Sequence, residues 1–211
     1  RHPFNFEFFF FHYQNHFFSY RKELMNNENN AISILNKIPI NNVRQQEIKI
    51  ECSNHLIYGI AYIPDNGSKS FPLVIFSHGL GDSYISNLQY FELISKHGIA
   101  VYSFDFCGGG GDKSDGETTK MSVMTEVSDL EHVLEASKKW DFVDINHIIL
   151  IGHSQGGIVS AITAARHKSE ISGVVLLSPA FSLTDELHKM FSSLNDVPDK
   201  YYFLYTDAGR R

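Results

Sequence analysis

The sequence predicts an α/β fold, a mostly parallel sheet with helices on both faces and an antiparallel edge at its N-terminal end. Three observations lead there. Continuous apolar runs recur at Phe71–Phe76, Ile99–Phe104, Ile148–Ile151 and Gly173–Leu177, as strands buried on both faces require. Segments of helical period lie between them. Ahead of them, Glu47–Cys52 alternates polar and apolar residues, the pattern of a half-buried strand. Strands alternating with helices imply parallel pairing through crossovers.

In chain order, residues 1–42 read as an irregular N-terminal segment. Phe8–Phe11, Phe17 and Phe18 sit there among His12, Gln14, Asn15 and His16, and Asn26–Asn30 is a polar linker. The aromatic cluster meets a signal peptide halfway at best, lacking small residues at a cleavage site. Residues 1–20 therefore read as a fragment edge or non-native sequence, with an interfacial aromatic segment as the alternative. The ordered domain, residues 43–211, starts near Val43. His55–Pro64 reads as the hairpin partner of Glu47–Cys52, and Pro64–Gly67 carries turn residues. Helices are expected over Leu88–His97, over Ser122–Trp140 with Val123, Val127, Leu130 and Leu134 on one face, and over Gln155–Lys168. Phe181–Leu194 reads as the start of a cap.

With 211 residues and a hydrophobic fraction of 43%, the chain can bury the core of one ordinary domain. The formal net charge of -6 and the lack of a basic patch argue against nucleic acid as a partner. No apolar run reaches ~18 residues, so no transmembrane segment is expected. Cys52 and Cys107 match no zinc or redox spacing and read as buried free thiols, with a disulfide as the open alternative. Two cysteines and no clear export signal favour the cytoplasm, while the N-terminus leaves localisation open.

Chemistry concentrates at Gly152-His153-Ser154-Gln155-Gly156. This G-x-S-x-G follows a predicted strand and opens a predicted helix, the context of a nucleophile elbow. Gly152 and Gly156 remove the side chains that would collide in so sharp a turn. Acyl transfer also needs two N–H donors for the oxyanion. Gln155, after the serine, supplies one. The loop His78-Gly79-Leu80-Gly81-Asp82, after the first buried strand, supplies the other through Leu80. The Gly108–Gly111 run fits neither G-x-G-x-x-G nor G-x-x-x-x-G-K-[ST], so it reads as a mobile turn near the site. His78 and His153 carry no H-E-x-x-H spacing. His78 is expected to bond backbone in its turn, and His153 to pack beside the elbow. Neither a metal nor a cofactor is called for.

These motifs together resemble the α/β-hydrolase family, and more closely its cinnamoyl- or feruloyl-esterase-like and monoglyceride-lipase-like members. The likeness rests on His78-Gly79, on Asp105-Phe106-Cys107-Gly108 through Ser114-Asp115-Gly116, and on Gly152-His153-Ser154-Gln155-Gly156-Gly157. It runs from about residue 45 to residue 180. It implies a serine hydrolase whose partner is a small-molecule ester of aryl or acylglycerol type, with Ser154 as the nucleophile. A serine peptidase or acyltransferase of the same fold, and a non-catalytic fragment, stand as alternatives. In this family the acid and then the histidine follow the serine. Asp185, His188, Asp199 and Asp207 make poor candidates, and His167 is expected to point away. The catalytic Asp and His are therefore expected beyond residue 211, with the last two strands.

Overall fold

The computed structural model describes residues 42–52, 55–110 and 113–182. The chain divides into two units, Arg1–Ala180 and Phe181–Arg211, and every element below belongs to the first. The segments around Asn26–Asn30, Asp185–His188 and Asp199–Asp207 lie outside the described residues.

Strand β1 (Asn42–Cys52) pairs antiparallel with β2 (His55–Asp65), Cys52 opposite His55 and Asn42 opposite Asp65. β1 starts earlier than its alternation suggests. Its first residues are mostly exposed on the sheet's outer strand, where solvent does not select for apolar side chains. Four strands follow: β3 (Phe71–Ser77), β4 (Ala100–Phe104), β5 (Val143–His153) and β6 (Gly173–Leu177). The order across the sheet is β1-β2-β4-β3-β5-β6. β2 meets β4 antiparallel, and β4, β3, β5 and β6 run parallel. The expected parallel sheet with an antiparallel N-terminal edge is therefore present. β5 extends back to Val143, beyond the apolar run, by pairing with Phe71 across a register shift between Phe71 and Leu73.

Three helices connect the strands. α1 (Leu88–Lys96) joins β3 to β4, α2 (Val123–Ser137) joins β4 to β5, and α3 (Gln155–Arg166) joins β5 to β6. Ser122 caps α2: its side chain accepts from the Thr125 N–H, and the Thr125 hydroxyl accepts from the Ser122 N–H. α2 stops at Ser137, short of Trp140. Trp140 instead stacks on Phe142 and meets the edge of Tyr102, so burying its ring wins over extending the helix. No described helix is long and apolar enough to cross a membrane.

The sheet has apolar side chains on both faces. Leu73 and Ile75 of β3 point into one cluster with Val127, Leu130 and Leu134 of α2 and Val159 of α3. Val74 and Phe76 point into the other, with Phe91 of α1. This alternation within one run is why β3 reads as continuously apolar. β6 is the outer strand at the other side, and its Val175 is 41% exposed.

The tightest contact lies where β3 and β5 deliver the chain to α3. A Cβ on Gly156 would stand 2.3 Å from the Ser77 carbonyl oxygen, and one on Gly152 would stand 2.2 Å from the Gly156 oxygen. Both obstacles are backbone and cannot swing away. Gly156→Ala is expected to destabilise the protein by at least ~3 kcal/mol. Gly173→Ala, whose Cβ meets nothing closer than 4.0 Å, is expected to stay within about 0.5 kcal/mol of wild type. Urea denaturation of both variants checks this, and equal midpoints would refute the crowding argument.

Candidate active site

Ser154 sits between β5 and α3 with φ 53° and ψ -118°. A non-glycine residue here costs about 1–3 kcal/mol and persists only where its surroundings over-determine it. The hydrogen bonds that hold it are visible. Its N–H donates to the Leu177 carbonyl at 3.0 Å, and its own carbonyl accepts from the N–H groups of Gly157 and Ala180, each at 3.0 Å. The turn is thus fastened to the end of β6 as well as to its own helix.

The loop after β3 closes over this turn. The Asp82 N–H donates to the Gly79 carbonyl at 3.1 Å, making a tight turn through Leu80, whose side chain is 40% exposed. A Cβ on Gly79 would lie 3.1 Å from Ser154 Cβ and 3.3 Å from His153 Nδ1. Gly79 is therefore the residue that lets this loop reach the serine. His153 is 39% exposed, and its Nδ1 lies 3.5 Å from Asp82 Oδ2, so it packs beside the turn as expected.

His78 is buried at 2% exposure. Its Nε2 accepts the Phe106 N–H at 3.2 Å, so Nδ1 carries the proton and donates to the Gly79 carbonyl at 2.8 Å. Both ring nitrogens are committed to backbone, which ties the loop after β3 to the loop after β4. Burial lowers its pKa, favouring this neutral form. The Phe106 ring meets the imidazole edge-on at 5.0 Å.

The described flank of the glycine-rich loop after β4 is bonded to β2. Ser114 Oγ accepts the Tyr58 N–H and donates to the Asp105 carbonyl. Asp115 Oδ2 accepts the Leu56 N–H, and the Asp115 N–H donates to the Leu56 carbonyl. Cys52 and Cys107 are free thiols, the first buried and the second half-buried.

Behind the serine lie two acids that sequence reasoning passed over. Glu126 Oε1 accepts from Gln155 Nε2 at 2.8 Å, so the carboxyl orients the residue that follows Ser154. Asp129 Oδ2 accepts the Cys107 N–H at 2.8 Å. Both acids are buried on α2. A signal was present. Glu126 lies three residues after Val123, on the stripe that otherwise carries apolar residues. His167 caps the end of α3 and is engaged by Glu170 and Glu131, away from the serine. A groove of about 680 Å³ on the α1 face is lined by Phe76, Phe91, Ile151, His153 and Val175 among others, and Ser154 does not line it.

Burial, opposed by the Gln155 bond and reinforced by the nearby Asp129 charge, pushes the Glu126 pKa up from 4.5 to about 7. A carboxyl raised in the folded state leaves stability untouched below pH 4.5, where both states are protonated. Stability falls as pH rises from 4.5 to about 7, because only the unfolded chain ionises, and the full cost persists above. Glu126→Gln keeps an acceptor for Gln155 and removes the ionisation. The variant is expected to gain up to about 3 kcal/mol over wild type at about pH 8 and nothing near pH 4.5. Denaturation at both pH values measures it, and a gain equal at both would refute the assignment.

Comparison with known proteins places this geometry. The chain is 31% identical over 109 residues to monoglyceride lipase of Rattus norvegicus, which covers 51% of this chain and 34% of that protein. It is 34% identical over 109 residues to monoglyceride lipase of Mus musculus, with the same two coverages. The chain thus spans about a third of the length of these relatives. Among solved structures, Est1E from Butyrivibrio proteoclasticus with ferulic acid bound superposes with TM-score 0.62 at 27% identity, covering 67% of this chain and 56% of that one. The family model for serine aminopeptidase, S33, matches residues 68–203. That match spans more than half of the chain and takes in the serine turn and both loops around it, so the chain belongs to the serine aminopeptidase S33 family of α/β-hydrolases.

Proposed function

We propose that the protein is a serine hydrolase that cleaves carboxylic esters through an acyl-enzyme on Ser154. One observation carries this reading: a serine held at φ 53° between a strand and a helix, with the Gly79 loop against its Cβ. A general base takes the hydroxyl proton as Ser154 Oγ attacks the ester carbonyl carbon, and the carbonyl oxygen takes the negative charge. The backbone N–H groups of Leu80 and Gln155 hold that oxyanion. Collapse breaks the bond to the leaving oxygen, which departs as the alcohol with the proton the base had taken, and water deprotonated by the same base then releases the acid from Ser154. His78, Gly79, Gly152, His153 and Gly156 support the arrangement without bonding to the reacting atoms. The committed nitrogens of His78 and the ion pairs of His167 argue against either as the general base.

The relatives' names support the substrate class. Monoglyceride lipase acts on an acylglycerol, and Est1E binds ferulic acid, so acylglycerol or cinnamoyl-type aryl esters are the substrates proposed. A serine peptidase of the same fold is the second reading, favoured by the description of the matching family. Side-by-side turnover of a monoacylglycerol, methyl ferulate and an aminoacyl anilide decides between them. The first reading expects the esters to be preferred, and faster anilide cleavage would replace it with the second.

Ser154→Ala is expected to lower ester hydrolysis by ~10⁴-fold or more and to abolish labelling by a fluorophosphonate probe in the full-length protein. Retained turnover or labelling would remove Ser154 from the mechanism.

A further inference from the structure

A second cluster of reactive side chains lies behind the serine turn and takes no part in the proposed chemistry. His55 begins β2, Cys107 opens the loop after β4, and Asp129 lies in the middle of α2. One ligand-capable atom of each, an imidazole nitrogen, a thiol sulfur and a carboxylate oxygen, lies within 4.8 Å of the other two. The two Asp129 oxygens have different tasks. Oδ2 accepts the Cys107 N–H, while Oδ1 faces His55 Nε2 at 3.4 Å. That nitrogen is buried and makes no hydrogen bond among the described residues. An imidazole and a carboxylate that served only each other would close to a hydrogen bond of about 2.7–2.9 Å. A separation of 3.4 Å instead matches two ligands about 2.0–2.2 Å from a shared tetrahedral centre.

We propose that His55, Cys107 and Asp129 form a binding site for one borderline-soft divalent cation, zinc by the chemistry of its donors. One imidazole, one thiolate and one carboxylate suit Zn²⁺ and not the oxygen-seeking Mg²⁺ or Ca²⁺. The thiolate and carboxylate together neutralise a charge of +2, and the thiol proton leaves to solvent on binding. Three protein ligands leave the fourth position to water. His132 flanks the cluster, its ring edge-on to His55 at 6.1 Å and its Nδ1 on the Ser128 carbonyl. The donors come from three separate segments, so no metal-ligand spacing appears in the sequence.

The site's role follows from what it joins. A cation there links the β1–β2 hairpin, the glycine-rich loop and α2 at one point. That loop is the one whose Phe106 N–H holds His78. Asp129 also lies three residues beyond Glu126, the acid that holds Gln155. The ion braces these segments against one another, and its binding free energy adds to folding. This inference does not depend on the ester hydrolase reading.

The test uses full-length protein stripped with a chelator and titrated with Zn²⁺ alone and with Co²⁺ alone. One equivalent of Zn²⁺ is expected to raise the Tm, and one equivalent of Co²⁺ to produce a thiolate-to-metal charge-transfer band. Cys107→Ser is expected to lose the band. His55→Gln, at a partly exposed strand end, is expected to weaken Zn²⁺ binding by at least ~100-fold, more than loss of an outer-shell partner does. His147→Gln, an exposed histidine paired with Asp144, is expected to bind like wild type. Absence of the band in the wild type at one equivalent, its survival in Cys107→Ser, or unchanged affinity in His55→Gln would each overturn the proposal.

Discussion

The backbone of α3 approaches the end of β3 so closely at Gly156 that no side chain fits between them, and the rest of the site depends on that contact. It brings the first turn of the helix onto Ser77 and His78. With Gly152 equally crowded against Gly156, the chain must reverse direction within one residue, and Ser154 is the residue that takes the strained conformation. The strain of about 1–3 kcal/mol is small beside the sheet and core that impose it. Bonds from Leu177, Gly157 and Ala180 leave the serine backbone no relaxed alternative. Pre-organisation of this kind fixes the Ser154 backbone in the folded chain, in the geometry that the proposed chemistry would use.

A layer of buried polar groups supports the turn from behind. Glu126 fixes Gln155, Asp129 fixes the start of the glycine-rich loop, and His78 joins two loops through its two nitrogens. Burying such groups is unfavourable unless each finds a partner. Here the partners are mostly backbone N–H and C=O groups of the loops around Ser154. The desolvation cost is thus converted into loop position, which apolar packing alone specifies poorly because it has no direction.

Strand and helix positions were largely legible in the sequence, for a local reason. A strand buried on both faces must be apolar throughout, and β3, β4 and β6 were placed to within a residue or so. Where burial weakens, the pattern fades. The exposed start of β1 and the first half of β5 were missed because solvent does not constrain residue type there. The end of α2 was overrun because Trp140 continues the helical period but packs on Tyr102 and Phe142. The bonds of Ser114 and Asp115 to β2 were not legible in the sequence because their partners lie more than 50 positions away.

By itself, the sequence determined the fold class and the sharp turn at Ser154 with the Gly79 loop that approaches it, because hydrophobic period and glycine placement are local properties of the chain. Only the tertiary structure decided that Glu126 holds Gln155, that His78 is spent on backbone, and that His55, Cys107 and Asp129 share one point in space. Apart from the bond of His78 to its neighbour Gly79, those contacts join residues 22 to 74 positions apart, and one local spacing cannot encode a meeting between elements that only the folded sheet brings together.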